Sequence, residues 1–283
     1  MVEIKENIIL KSPLNCSILI DLSYKTTKTK KPIVVFAHGF KGFKDWGHFP
    51  LIMQQFVQED FAFLKFYFSH NGGTLKNPID FPDLEAFGNN NLSKEVEDLN
   101  TVIDAIFERA IFPDEEVDKN NIYVVGHSRG GGISLLTTQI NKKIKKIATW
   151  AAVCDFEQRL PTNLEQWKND GVIYIENART KQQMPMYYQF VEDLLANKNL
   201  LSIKNAVKKI TIPQLIIHGT NDTTVSIDEA QQLKDWNSNA KMYLIEGAEH
   251  TFGGKHPFDS ENLPKHTLML LEITMDFFKN KNQ

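Results

Sequence analysis

Residues 122–132 read Ile-Tyr-Val-Val-Gly-His-Ser-Arg-Gly-Gly-Gly, an apolar run that leads into a serine flanked by glycines. The run at 122–125 predicts a strand, and the pattern at 130–140 predicts a helix. In Gly-x-Ser-x-Gly the serine lies on a tight strand-to-helix turn that exposes its hydroxyl group. Glycine is required on either side because side chains there would clash across the turn. Ser128 is therefore the candidate nucleophile.

Strands and helices alternate on both sides of this turn. Two early runs, 2–10 and 16–22, are predicted to pair antiparallel because the turn between them is too short for a parallel crossover. At 226–229, Ser and Glu predict a capping box. The regular alternation predicts an α/β fold with a mostly parallel sheet and helices on both faces. The remaining strands are predicted at 33–39, 62–68, 147–153, 213–218 and 242–245, and the remaining helices at 93–109, 226–236 and 264–278.

Composition narrows the class of protein. The 283 residues are 42% hydrophobic and 24% charged, which is typical of a globular chain, and we expect one domain over residues 1–283. With 32 Lys and Arg against 35 Asp and Glu, a broad basic surface is excluded, so we expect no nucleic-acid partner. We see no signal peptide and no apolar run of 18 residues, so we expect a soluble cytoplasmic protein that does not enter membranes. Cys16 and Cys154 have neither metal nor redox spacing, and we expect both to be reduced and buried.

One segment, approximately residues 155–210, interrupts the alternation. It is rich in aromatic residues and methionine, too long for a plain connection and too apolar for a disordered linker. We predict a mostly helical lid over the edge of the sheet where ligands bind, with ordinary packing helices as the alternative. Its aromatic side chains, which lie among Arg179 and Lys181, could stack on a flat acyl group or pack the lid onto the body.

A serine hydroxyl needs a base to take its proton. His250 lies in a glycine-rich loop just after the last predicted strand, at the edge where parallel sheets place chemistry. Asp222 follows the strand at 213–218 and could hold the imidazole tautomer. Asp155, after the preceding strand, is the alternative acid. The chain order Ser128, Asp222, His250 is that of α/β-hydrolases.

Four separated motifs resemble the α/β-hydrolase superfamily. They are His38-Gly39-Phe40-Lys41-Gly42, Gly126-His127-Ser128-Arg129-Gly130, His218-Gly219-Thr220-Asn221-Asp222 and Gly247-Ala248-Glu249-His250. The chain is most similar to dienelactone-hydrolase-like and feruloyl (cinnamoyl) esterases and to catalytic domains of the prolyl-oligopeptidase type. The resemblance implies a sheet of about eight strands with a helical lid insertion after the sixth. It also implies an oxyanion hole formed by the backbone N–H groups of Phe40 and Arg129, with His38 shaping that loop.

These residues predict a serine hydrolase that cleaves carboxylic esters through an acyl-enzyme. Small-molecule esters are the expected substrates, and alkyl, acetylated-sugar and hydroxycinnamoyl esters all remain open. An aminopeptidase-like or acyl-peptide hydrolase is the alternative enzyme, and a binding protein on the same scaffold is the non-catalytic one. We expect no cofactor and no metal, because His250, His256 and Asp259 lack zinc spacing. Phosphate binding is disfavoured, since the glycines at 126–132 match neither the P-loop nor the dinucleotide pattern.

Two polar residues near the predicted site, His70 and Arg129, each have two alternative roles. His70 is expected to be a solvated loop histidine, with a place in the pocket as the alternative. Arg129 is a cation at a helix N-terminus, where the helix dipole disfavours it. We expect its side chain to pair with a carboxylate from the loop that carries Asp83 and Glu85, with contact to an anionic substrate as the alternative.

Overall fold

The computed structural model describes residues 1–280, which form ten strands and nine α-helices. The strands are β1 (Val2–Lys11), β2 (Ser17–Lys25), β3 (Lys31–Ala37), β4 (Ala62–Phe66), β5 (Val117–His127), β6 (Ile144–Trp150), β7 (Val172–Glu176), β8 (Gln183–Tyr187), β9 (Gln214–Gly219) and β10 (Lys241–Ile245). The helices are α1 (Phe49–Gln58), α2 (Leu84–Gly88), α3 (Leu92–Glu108), α4 (Arg129–Ile140), α5 (Leu164–Asp170), α6 (Gln189–Ala196), α7 (Ile203–Val207), α8 (Ile227–Trp236) and α9 (Lys265–Lys279).

Eight of the strands form one sheet in the order β1-β2-β4-β3-β5-β6-β9-β10. From β4 to β10 all neighbours are parallel, whereas β2 runs antiparallel to both β1 and β4. The central strands β3 and β5 are buried along their apolar stretches, as expected for strands that helices cover on both faces. The predicted α/β fold, with about eight mostly parallel strands, is confirmed.

Side chains of the central strands divide between two cores, one on each face of the sheet. In β5, Ile122 and Val124 pack in the cluster that includes α3 and α4. Their neighbours Tyr123 and Val125 point to the other face and pack with α1 and α9. Because β5 is the fifth of the eight strands in the sheet order, its end, and with it Ser128, lies near the middle of the sheet's carboxyl edge.

The predicted capping box at the start of α8 does not form. Ser226 Oγ does cap the helix, because it accepts a hydrogen bond from Asp228 N at 3.2 Å. The Glu229 carboxylate, however, accepts from Cys154 N at 2.8 Å and pairs with Arg159 instead of returning to Ser226. Glu229 thus ties α8 to the segment after β6, a long-range contact that the local pattern could not indicate.

The segment at 155–210 contains both helices and strands. Its regular elements are a 3₁₀ turn at Glu157–Arg159, the helices α5, α6 and α7, and an antiparallel hairpin formed by β7 and β8. The sequence pattern predicted the helices but not the hairpin. Trp167 Nε1 on α5 donates to Met186 O on β8 at 2.9 Å, which fixes the hairpin against the helix.

The structure also tests the expectations for the two cysteines and for membrane spans. Both cysteine thiols are free, and Cys154 is buried as expected, but Cys16 is only half-buried, which corrects the expectation for it. Within residues 1–280, no helix has the length and apolarity needed to cross a membrane.

Candidate active site

Ser128 lies on a strained turn between β5 and α4. Its backbone has φ 56° and ψ −123°, a combination that L-residues rarely adopt. A Cβ atom at Gly126 would lie 2.5 Å from Gly130 O, and one at Gly130 would lie 2.3 Å from His38 O. Both positions therefore require glycine, for the reason given by the sequence pattern.

The three predicted residues Ser128, His250 and Asp222 meet at the carboxyl edge of the sheet. Ser128 Oγ lies 3.0 Å from His250 Nε2. His250 Nδ1 lies 2.7 Å from Asp222 Oδ2. Asp222 follows β9 and its side chain is fully buried, whereas His250, in the loop after β10, keeps 15% of its side chain exposed. This geometry can pass a proton from the serine to the histidine while the carboxylate holds the ring.

Asp222 is held in its ionised form. Burial alone would raise its pKa, but hydrogen bonds from His218, His250 and Val225 N outweigh burial and hold the pKa well below its ordinary value. The carboxylate therefore accepts a proton-bearing Nδ1 of His250, which leaves Nε2 free to act as a base.

Two histidines next to the predicted residues support this arrangement, and the sequence pattern gave neither a role. His218 is fully buried, and its Nε2 lies 2.9 Å from Val225 O and 3.4 Å from Asp222 Oδ2. His127 Nε2 donates to His250 O at 2.9 Å, and burial lowers the pKa of His127 to about 3, so the ring is neutral. Both lie inside the quoted motifs, but only the fold shows which backbone and side-chain atoms they reach.

Residues 38–42, here called the oxyanion loop, close over the serine. A Cβ atom at Gly39 would lie 3.0 Å from Ser128 Cβ and 3.4 Å from Ser128 Oγ, so a glycine allows this approach. Gly39 O lies 2.9 Å from His38 Nδ1 and accepts from Gly42 N at 3.0 Å. Because Gly39 C=O and Phe40 N–H belong to one planar peptide group, these bonds also set the direction of the Phe40 N–H.

The second predicted oxyanion donor is Arg129 N–H at the start of α4. As the first residue of the helix it has no acceptor within α4. Within residues 1–280, the hydrogen bonds found include none from Phe40 N–H or Arg129 N–H to another residue. Both groups are thus available to a ligand beside Ser128.

A cavity of about 430 Å³ opens next to Ser128 and His250. Phe40 and Val153 line it from the body of the fold. From the segment at 155–210 the lining includes Trp167, Ile173, Ile175, Met186 and Phe190. Some aromatic residues of that segment, such as Trp167 and Phe190, therefore line the cavity. Tyr174 does not, and it is 62% exposed.

The Arg129 side chain pairs with a carboxylate, as expected, but with a different one. Its Nε donates to Glu95 Oε2 on α3 at 2.9 Å. The two carboxylates named from the sequence are used elsewhere, since Asp83 caps α2 and Glu85 accepts from Tyr187. The guanidinium carbon of Arg129 also lies 4.9 Å from the ring centre of Phe40 and 5.1 Å from that of Phe190.

The other residues named from the sequence have partners elsewhere in the fold. His70 is buried and not solvated, which corrects the expectation, and its ring contacts Ser69 Oγ and Cys16 Sγ. Asp155 accepts from Glu157 N at 2.8 Å, so it serves a local turn. Arg179 pairs with Asp80 outside the cavity. Lys181 is exposed and pairs with Glu176. In the described part of the chain, no group of three or more His, Cys, Asp or Glu side chains could hold a metal ion.

Comparison with known proteins gives the following matches. A family model described as BD-FAE matches residues 20–237. No curated protein matches the chain. Ferulic-acid-bound Est1E from Butyrivibrio proteoclasticus is 18% identical, with a TM-score of 0.71 over 96% of each chain. An esterase domain from Rhodothermus marinus is 16% identical, with a TM-score of 0.63 over 98% of this chain and 97% of that one.

A third solved structure is larger than this chain. The acylaminoacyl peptidase from Pyrococcus horikoshii is 17% identical, with a TM-score of 0.66 over 99% of this chain but only 41% of its own. At such identities, the three structural likenesses show a shared fold.

Proposed function

The chain belongs to the BD-FAE family of α/β-hydrolases, and from that premise we propose that it is a serine hydrolase that cleaves carboxylic esters. Ser128 is the nucleophile, His250 the general base and acid, and Asp222 the group that orients His250. The observation that supports this most directly is the unbroken path Ser128 Oγ–His250 Nε2 at 3.0 Å and His250 Nδ1–Asp222 Oδ2 at 2.7 Å.

The reaction follows from these positions. Ser128 Oγ attacks the ester carbonyl carbon while its proton passes to His250 Nε2. The N–H groups of Phe40 and Arg129 stabilise the negative charge on the carbonyl oxygen, where each such donor contributes about 3 kcal/mol. His250 then protonates the leaving alcohol, and an acyl-enzyme remains on Ser128. Water, deprotonated by His250, hydrolyses that ester and restores the serine.

The cavity favours an apolar acyl or alcohol group of moderate size. Its volume of about 430 Å³ falls in the range of small-molecule sites. Phe40, Trp167 and Phe190 on its walls suit a flat aromatic group, since aromatic pairs add about 0.5–1.5 kcal/mol beyond area burial. We therefore place aryl and hydroxycinnamoyl esters first among the substrates, and ferulic acid bound to the structural neighbour Est1E is consistent with this choice.

Kinetics on matched substrates test the proposal. Wild-type protein should hydrolyse a 4-nitrophenyl ester and methyl ferulate, and Ser128→Ala should lower kcat by at least about 10⁴-fold without unfolding. Ser260→Ala, which removes an exposed hydroxyl group, is the control and should retain full activity. An anilide with the same acyl group is tested beside each ester. Turnover of the anilide at the rate of the ester would instead favour an amide hydrolase on this fold.

A further inference from the structure

Three buried polar atoms behind the oxyanion loop lack hydrogen-bond partners within residues 1–280. They are His38 Nε2, Asn90 Oδ1 and Arg129 Nη2. Their residues are 2%, 9% and 9% exposed. All three residues line one small cavity of about 10 Å³, which lies between the oxyanion loop, the start of α3 and the start of α4. Because a buried polar atom is destabilising unless it has a hydrogen-bond partner, three residues with such atoms around one cavity indicate a bound molecule.

His38 presents a hydrogen-bond acceptor to this cavity. Its Nδ1 lies 2.9 Å from Gly39 O, and a carbonyl oxygen can only accept, so Nδ1 carries the proton. Burial lowers the pKa of His38 to about 4, so the ring is neutral near pH 7 and carries a single proton. Nε2 is therefore left with a lone pair.

Asn90 presents a second acceptor, and Arg129 presents a donor. Asn90 Nδ2 donates to Glu95 Oε1 at 2.7 Å, which fixes the orientation of the amide and leaves Oδ1 as the free atom. Arg129 Nε donates to the other oxygen of the same carboxylate at 2.9 Å. Arg129 Nη2 still has protons to donate, because a guanidinium has five N–H groups and no acceptor.

Two acceptors and one donor match the bonding capacity of a single water molecule. A water can donate one proton to His38 Nε2, donate the other to Asn90 Oδ1 and accept from Arg129 Nη2. A cavity of about 10 Å³ is also about the size that holds one water. An ammonium ion would meet the Arg129 cation, and an anion would meet two acceptors, so neither fits this set. We propose that His38, Asn90 and Arg129 bind one structural water behind the oxyanion loop.

The water also has a consequence for catalysis, and this part rests on the proposed function. By donating to Nε2, it holds His38 in the tautomer whose Nδ1–H binds Gly39 O. That bond sets the peptide plane and so directs the Phe40 N–H towards the position of the oxyanion. Asn90 and the water are thus positioning groups, which act on the reaction through His38 and the oxyanion loop.

A crystal structure of the wild-type protein tests the water directly. We expect a single density peak within hydrogen-bond distance of His38 Nε2, Asn90 Oδ1 and Arg129 Nη2. Direct contacts among these three side chains with no peak between them would overturn the proposal. This result does not depend on catalysis, so it can stand even if the protein proves to have no esterase activity.

Kinetics of Asn90→Leu test the positioning role. Leucine matches asparagine in size but puts methyl groups in place of both Oδ1 and Nδ2, so it removes the acceptor and also the hydrogen bond to Glu95. We expect kcat on a 4-nitrophenyl ester to fall about tenfold with KM within about twofold, since the N–H of Phe40 acts on the transition state. Asn89→Leu is the control, because Asn89 is the adjacent amide, donates to Glu85 and does not line the cavity. That variant should stay within about twofold of wild type.

Asn90→Ser distinguishes loss of the water from a general folding defect in Asn90→Leu. Serine restores an acceptor and leaves room for water, so we expect kcat to return to within about threefold of wild type. An unchanged kcat in Asn90→Leu would contradict the positioning role. So would an equal loss in Asn90→Ser, or a loss that follows thermal stability alone. Absence of any wild-type turnover or covalent labelling would count against the proposed function instead.

Discussion

Ser128 has an unfavourable backbone conformation that its neighbours hold in place. A non-glycine residue at φ 56° stores about 1–3 kcal/mol of strain. The turn persists because Ser128 N donates to Trp150 O at 2.9 Å, and because glycines at 126 and 130 allow the backbone to close. Strain of this kind exposes the serine hydroxyl to His250 and to the cavity.

Asp222→Asn should test the orienting role of the carboxylate. Asparagine keeps the size but can present an N–H to His250 Nδ1, which favours the tautomer with the proton on Nε2. That tautomer cannot accept the serine proton, so we expect kcat to fall by about 10⁴-fold with little change in KM. Steady-state kinetics on a 4-nitrophenyl ester measure the effect.

Asp155→Asn is the matched control, because Asp155 is the other acid that the sequence offered. Its carboxylate accepts from Glu157 N in a local turn, so the variant should keep activity within about threefold of wild type. Comparable losses in both variants would contradict the assignment of the acid to Asp222.

The sequence could predict that Ser128, Asp222 and His250 lie close together, because each follows a strand and the ends of parallel strands meet at one edge. It could not predict the groups that support them. Arg129 and Glu95 are 34 positions apart, and His127 reaches the backbone of His250 from 123 positions away. Such pairs depend on how helices and loops pack, which no local spacing records.

At the level of elements, the hairpin of β7 and β8 forms one wall of the cavity. Ile173 and Ile175 on β7 line the cavity, and Tyr174 between them is exposed. This is the alternation expected of a strand with one covered face. Alternate residues of β7 therefore form the cavity wall, and a substitution can alter the cavity-facing side of the strand without altering its exposed side.

Ile173→Trp should narrow the cavity and change the choice of acyl group. We expect kcat/KM for methyl ferulate to fall at least about tenfold, while that for a small acetyl ester changes less than about threefold. Tyr174→Trp places the same side chain on the exposed face of the same strand and should alter neither value. Equal effects of Ile173→Trp on both esters would show that this cavity does not receive the acyl group.

Two of the elements that the sequence does not predict, β7 and β8, are short and interrupt the alternation. Strands β7 and β8 have five residues each, and β8 contains Pro185, which weakens any strand pattern. Helix α1 was also missed, although Phe49, Ile52, Met53 and Phe56 have helical spacing and are buried. The sequence of α1 does contain a helical pattern of apolar residues. The hairpin has no such local pattern, and its position depends on packing against Trp167.

For the molecule as a whole, Asp98 couples stability to pH. It lies on α3, is 1% exposed, and accepts hydrogen bonds from Ser12 Oγ after β1 and from Ser69 N after β4. Burial raises its pKa to about 7, and the nearby Glu95 carboxylate adds to the shift. Between pH 4 and 7 the folded protein therefore holds a proton that the unfolded chain has released.

Stability should fall over this range, because the folded state binds more protons than the unfolded state. We expect Asp98 to lower the free energy of unfolding by a few kcal/mol from pH 4 to pH 7, and the loss to level off above pH 7. Asp98→Asn should remove this part of the decline, as measured by urea unfolding at pH 5 and pH 8. Asp104→Asn, on the same helix but with 40% of its side chain exposed, is the control and should unfold with the pH dependence of wild type.

The most direct test of the central claim is intact mass after treatment with a fluorophosphonate, on wild type and Ser128→Ala in parallel. This reagent reports an activated serine without knowledge of the substrate. We predict one adduct on the wild type and none on the variant. Labelling of Ser128→Ala at unchanged stoichiometry, or a folded wild type that takes up no reagent, would contradict the assignment of Ser128 as the nucleophile of a serine hydrolase.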